Sequence, residues 1–408
     1  MTKIRFAHLA DLHLGSWRER ILTELNFKTF EKAIDKVIEE KVDFAVFAGD
    51  IFNSPMPPIE ILNRTVQQLM RLKSANVPLY VIGGSHDYST TGKSFITLLE
   101  TAGVFTDVCK LKQTDKETYE LKLTRDEKTG TMIGGVLGRK NSLEKRFFEN
   151  LNVEKKEAPF KILMFHTGMG DFKPESMKNV NFPNSLKLLP KGFDYYAGGH
   201  IHEFMKTQVG NSLISYTGCL FPNNFYELKS QECSFNLLEF ETETKKLDLK
   251  RIILKTYEKE VLKVDVTKLN PLQAKEKIIS EIEKLELENK IFLLEISGVL
   301  EGKISDIGLG EIVSMSHNLG AIVVLKNTHK LTSSILEQDM DKQNLDTEEL
   351  EEIVTSDLLE NEENRDKLEP IFQELLNIDF SKREEERNID YETRIIETFQ
   401  QVLNITKD

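Results

Sequence analysis

The chain has 408 residues and a formal net charge of −13, with the apolar, glycine and proline content of an ordinary globular protein. That length allows two or three domains with at least one sizeable core, and no apolar run is long enough to span a bilayer. The charge is uneven: 21 of the 67 acidic and 8 of the 54 basic residues fall in 341–408, leaving 46 of each in the first 340 residues, so global acidity does not argue against a nucleic-acid partner, and no basic footprint argues for one.

In chain order, "MTKIRFAHLA" enters directly on a strand-like alternation, without the basic head, apolar stretch and cleavage site of a leader, and a cytoplasmic location is the expectation. A helix is expected over "FKTFEKAIDKVIEE", where Phe27, Phe30, Ile34, Val37 and Ile38 recur at helical spacing. There follow the strand "VDFAVFAGD", the proline-rich loop "NSPMPP", the helical "IEILNRTVQQLMRLKSAN", the strand "VPLYVIGG" and the helical "GKSFITLLETAG". Further strands are "FKILMFHTG", "FDYYAGGHIH" and "NSLISYTG". This alternation argues α/β, with helices covering a sheet on both sides. Past about residue 250, strand, helix, strand, helix, strand suggests a compact second domain. Beyond Leu336 the chain turns acidic and carries two amphipathic stretches, "TEELEEIVTSDLLE" and "YETRIIETFQQVL", whose apolar stripes suggest docking on a partner. The expected domains are 1–240, 250–335 and 340–408. Three cysteines, Cys109, Cys219 and Cys233, form neither a metal spacing nor a disulfide framework.

Five of these strands deliver metal-type ligands just past their carboxyl ends. Asp11 and His13 follow the first, Asp50 the second, and Ser85, His86 and Asp87 the third; His166 ends the fourth, and His200 and His202 follow the fifth. That rim is where sites form in open α/β sheets, and the turns are rich in glycine, which lets backbone approach closely. Any one such histidine is more often structural than a ligand; five coincidences of position are not. Mixed imidazole and carboxylate donors suit Mn, Fe or Zn better than Mg. With His86 and Asp87 set aside, the seven candidates that remain are too many for one tetrahedral ion and right for two ions sharing a carboxylate, so the reaction class is metal-assisted phosphoester hydrolysis.

In this order "DLH", "GD", "GSHD", "H" and "GHIH" resemble the calcineurin-like metallophosphoesterases. "FAHLADLHLGSW", "GDIFNSPMPP" and "HDYSTTGKSFITLLETAGVF" look like the archaeal type of the Mre-eleven/SbcD family of DNA double-strand-break-repair nucleases. The resemblance implies a β-sandwich flanked by helices over 1–240, a smaller α/β capping domain over 250–335, and a helix-loop-helix in 340–408 that binds a coiled-coil ABC ATPase of the Rad-fifty/SbcC type. It implies two Mn2+ per chain. Asp11, His13, Asp50 and His202 would hold one ion and His166, His200 and Ser85 the second, with Asp50 bridging. His86 would act at the leaving oxygen and Asp87 would orient it. Helices 58–75 and 92–103 would form a homodimer interface. Two positions depart from the family: Ser85 stands where it usually has asparagine, and Asn53 where many relatives carry a histidine that steers DNA.

Outside the constellation, "GRKNSLEKRFF" interleaves Arg139 and Lys140 with Phe147 and Phe148, as a DNA-tracking surface would; a solvated helix with two core phenylalanines is the commoner case. His8 reads as core, and His317 and His329 carry no chemistry. The function expected is a manganese-dependent DNA nuclease, exo- or endonucleolytic, acting in break repair with the ATPase. The rivals are a phosphodiesterase or phosphatase on nucleotides or small phosphoesters, and a DNA-binding scaffold weakened by Ser85.

Overall fold

The computed structural model describes residues 3–89, 94–116, 118–139 and 143–334, with Arg394 and Thr398 as isolated positions. Two six-stranded sheets carry the first part of the chain. The first runs Lys246–Ile253, Ser234–Glu241, Lys3–Leu9, Phe44–Ala48, Leu79–Ile82 and Thr106–Asp107, with the last four parallel. The second runs Phe204–Val209, Ser212–Thr217, Tyr195–Gly199, Lys161–His166, Met132–Val136 and Thr124–Arg125, parallel over its four central strands.

Side-chain alternation decides which core each residue enters. Ile4 and Phe6, Phe44, Val46 and Ala48, and Tyr80 and Ile82 cluster with Ile133, Ile162, Met164, Tyr195 and Ala197 of the second sheet, so the two sheets pack face to face. The alternate residues Ala7, Leu9, Ala45, Phe47 and Val81 join a second core with Phe27, Phe30, Ile34 and Val37 of the helix Arg20–Glu39 and Leu69 and Leu72 of the helix Ile59–Ser74. The two sheets are the β-sandwich that the family resemblance implies, where the alternation of elements alone suggested one sheet, and the helices Arg20–Glu39 and Ile59–Ser74 cover the outer face of the first. The first helix begins seven residues earlier than its apolar periodicity, because Glu19 caps it by accepting from the Leu22 amide at 2.8 Å.

On the helix Ile59–Ser74, Ile61 and Leu69 pack inward, whereas Met70 faces out, as do Ile59 and, on the helix Phe95–Thr101, Leu98. Further along, Glu258–Asp265, Lys290–Leu300 and Val323–Ser333 form a three-stranded sheet, with the helices Pro271–Ile282 and Leu309–Asn318 between its strands in the chain. By compactness the chain divides into two units. The first holds residues up to 264 with 277–296 and 308–329; the second, among the described residues, holds 265–276, 297–307 and 330–334. The stretches "TEELEEIVTSDLLE" and "YETRIIETFQQVL" lie outside the described residues, apart from Arg394 and Thr398.

Candidate metal centre

The strands Lys3–Leu9, Phe44–Ala48 and Leu79–Ile82 of one sheet, and Lys161–His166 and Tyr195–Gly199 of the other, bring their carboxyl ends to one rim. The loops there are held by backbone: Asp11 N donates to Gly49 O at 3.1 Å, His13 N to Asp50 O at 3.0 Å, and Gly138 N to Gly83 O across the sheets at 3.0 Å. Asp11, His13, Asp50 and His200 all have left-handed backbone, with φ of 53°, 43°, 51° and 90°. Non-glycine residues seldom adopt it, and where several do so together the surroundings over-determine them, as at functional sites. Glycine is required at two of the turns: a Cβ on Gly199 would stand 2.0 Å from Ala48 O, and one on Gly84 2.2 Å from Asp50 Oδ1.

The result is three overlapping groups, Asp11–His13–His202, His13–Asp50–His86 and Asp50–His166–His200, each with one donor atom per residue within 4.8 Å of the others. Asp11, His13, Asp50 and His166 are buried; His86, His200 and His202 are half-buried and form the mouth, with Ser85 half-buried beside them. His13 Nε2 lies 3.1 Å from His202 Nε2, and these nitrogens stand 3.5 Å from Asp50 Oδ2 and 3.7 Å from Asp11 Oδ1 respectively. Two nitrogens on one ion at about 2.1 Å stand about 3.0–3.4 Å apart, so the pair is spaced for a shared cation.

His166 makes the same point. Its Nδ1 is 2.8 Å from Ala48 O, and a carbonyl only accepts, so that nitrogen carries the hydrogen. Its Nε2 is buried and lies 3.1 Å from Asp50 Oδ2. A lone pair and a carboxylate oxygen that close repel unless a proton or a metal ion joins them. Burial works against a charged His166 ring, but Asp50 and then Asp11 outweigh it and push the ring up to about 10. Burial lowers His13 to about 3 and His200 to about 4, favouring the neutral ring that ligates metal. Asp50 stays well below the usual carboxylate range: burial would raise it, and His166 and His13 more than reverse that. Burial raises Asp11 to about 6, against the pull of His202 and His166. The donor set therefore fits divalent metal, with Asp50 common to two of its groups.

Asp87 does something other than orient the His86 ring. Its carboxylate accepts from the amides of Gly84 at 2.8 Å, Ile51 at 3.2 Å and Phe52 at 3.0 Å, stitching the second and third ligand loops together. The His86 ring is instead placed by Nδ1 on Asn53 O at 3.0 Å, and its backbone amide donates to Asp50 Oδ1 at 2.8 Å. Asp87→Ala strands three buried N–H groups, at roughly 1–3 kcal/mol for each unmet donor. A loss of about 3 kcal/mol or more is expected in urea unfolding; a loss under about 1 kcal/mol would mean that water meets those amides.

Sequence reasoning missed Glu227, whose Oε1 lies 3.0 Å from His202 Nδ1. The signal available was a capping pattern, since Asn224 Oδ1 accepts from Glu227 N at 3.0 Å at the start of the helix Phe225–Ser230. His8 is core: Nδ1 meets Tyr195 Oη at 2.7 Å between the sheets. Phe147 and Phe148 are core as well, with the Arg139 guanidinium 5.6 Å from the Phe147 centroid, and Lys140 lies outside the described residues.

Residues 4–204 match the calcineurin-like phosphoesterase family. The chain is 32% identical over 226 residues to the DNA double-strand break repair protein Mre11 of Methanococcus maripaludis, covering 53% of this chain and 56% of that one. It is 28% identical over 243 residues to the Mre11 protein of Methanocaldococcus jannaschii, covering 58% and 62%. With the Mre11 protein of Methanosarcina mazei it shares 26% over 340 residues, covering 82% of this chain and 51% of that one. The chain thus spans somewhat over half the length of these curated relatives. No described helix is long and apolar enough to cross a membrane.

Proposed function

We propose that this chain, whose residues 4–204 belong to the calcineurin-like phosphoesterases, is a manganese-dependent DNA nuclease acting in double-strand-break repair with a coiled-coil ABC ATPase. The observation that carries the chemistry is the overlap of three donor groups through His13 and Asp50. Likeness to archaeal repair proteins named Mre11 supports DNA as substrate. Asp11, His13, Asp50 and His202 would hold one ion and Asp50, His166, His200 and Ser85 the other. Such ions supply Lewis acidity, neutralising a phosphate and bringing the pKa of a water from about 15.7 toward 7. The chain's own residues do the rest. Asp87 locks the loops that set the spacing, and His86, held through Nδ1, would give a proton from Nε2 to a leaving oxygen.

Ser85 offers a shorter and poorer donor than an amide, so the second ion is expected to bind more weakly than the first. Residues 250–335 would act as the capping domain and 340–408 as the ATPase-binding segment. The outward Ile59, Met70 and Leu98 suit a homodimer interface on the two helices that carry them.

The test compares single- and double-stranded DNA with a nitrophenyl phosphodiester, in manganese and in chelator, for the parent and Ser85→Asn. DNA cleavage that needs manganese and rises in Ser85→Asn is the expected result. Hydrolysis of the small diester with no cleavage of DNA would point to a small-molecule phosphodiesterase. Cleavage only after Ser85→Asn would make the parent a scaffold.

A further inference from the structure

The helix Phe225–Ser230 is short, yet it is fixed at both ends. At its start, Asn223 N donates to Glu227 Oε2 at 2.7 Å and Asn224 Nδ2 to Glu227 Oε1 at 2.7 Å. At its far end, Lys259 Nζ donates to the carbonyls of Leu228 at 2.6 Å and Lys229 at 3.0 Å, and Lys229 pairs with the buried Glu295. The Glu227 carboxylate is thus a rigid acceptor 3.0 Å from His202 Nδ1. A carboxylate cannot donate, so Nδ1 carries a ring hydrogen, and Nε2 is the nitrogen left to face a cation. Nε2 is the atom facing His13 Nε2 at 3.1 Å and Asp11 Oδ1 at 3.7 Å.

We propose, resting on the two-ion reading above, that Glu227 is a positioning residue of the metal centre: it fixes the tautomer and orientation of His202 and so sets how tightly Asp11, His13 and His202 hold their ion. A carboxylate behind a ligating imidazole also makes the ring a stronger donor, and losing such a partner costs roughly 10–100-fold in metal affinity. Glu227 need not touch the ion to do this.

Calorimetric titration of Mn2+ into the parent, Glu227→Ala, Glu227→Gln and Lys259→Met tests it. Two binding events are expected in the parent. Glu227→Ala should weaken one of them by roughly 10–100-fold and leave the other in place. Glu227→Gln, whose amide oxygen still accepts from Nδ1, should recover part of the loss. Lys259→Met, which removes the anchor at the far end of the helix and leaves the carboxylate and its donors untouched, should stay near the parent. Unchanged affinity in Glu227→Ala would overturn the inference, as would an equal loss in Lys259→Met, which would assign the effect to the helix rather than to its carboxylate. No manganese bound by the parent would sink the two-ion reading itself, a result distinguishable from either.

Discussion

Asp50→Asn is expected to lose both ions. In calorimetry the parent should take up two manganese ions and this variant should bind neither with comparable affinity. The reason is position: Asp50 Oδ2 lies 3.5 Å from His13 Nε2 and 3.1 Å from His166 Nε2, which belong to different donor groups. Asparagine keeps the shape and an oxygen acceptor for the His86 amide, which donates to Asp50 Oδ1 at 2.8 Å, so the loops need not collapse. It removes the one negative charge common to two of the groups. Lewis-acid stabilisation is worth several kcal/mol, and each 1.36 kcal/mol is tenfold, so phosphodiester hydrolysis should fall by about 10^3-fold or more. Retention of one ion at parental affinity would mean that Asp50 serves a single site, and the bridging assignment would have to be dropped.

The convergence of the centre was legible because each contribution is local. A strand ends, a glycine-rich turn follows, and a histidine or carboxylate sits within a few residues; parallel strands then bring those ends together without further information. What was not legible is the second layer. Glu227 stands 25 residues beyond His202 and reads as an ordinary helix-capping glutamate. Asp87 sits beside His86 in sequence, yet the turn sends its carboxylate to the amides of residues 51, 52 and 84. Adjacency in the chain suggested a partnership that the backbone geometry does not make. The division into two sheets came from the family resemblance rather than from the pattern of the strands. Strands buried on both faces lack a clean alternation, so "KILMFH" carries nothing that says which sheet it joins.

His86→Ala separates ligand from acid–base group, because the two roles predict different ion counts. His86 belongs to a donor group with His13 and Asp50, and its ring lies 4.9 Å from that of His13 at an interplanar angle of 83°. A ligand role is therefore sterically open to it. Against that, its Nδ1 is engaged by Asn53 O at 3.0 Å and the ring is half-buried at the mouth, where a substrate would meet it. A general acid contributes typically 10²–10⁴-fold to the rate. The variant should therefore keep two manganese ions while its hydrolysis of phosphodiesters falls by about 10²–10⁴-fold. The loss should be largest for a poor leaving group such as a DNA sugar oxygen and small for nitrophenolate, which departs without a proton. Equal losses on both substrates with one ion missing would make His86 a ligand, and the protonation of the leaving oxygen would need another donor.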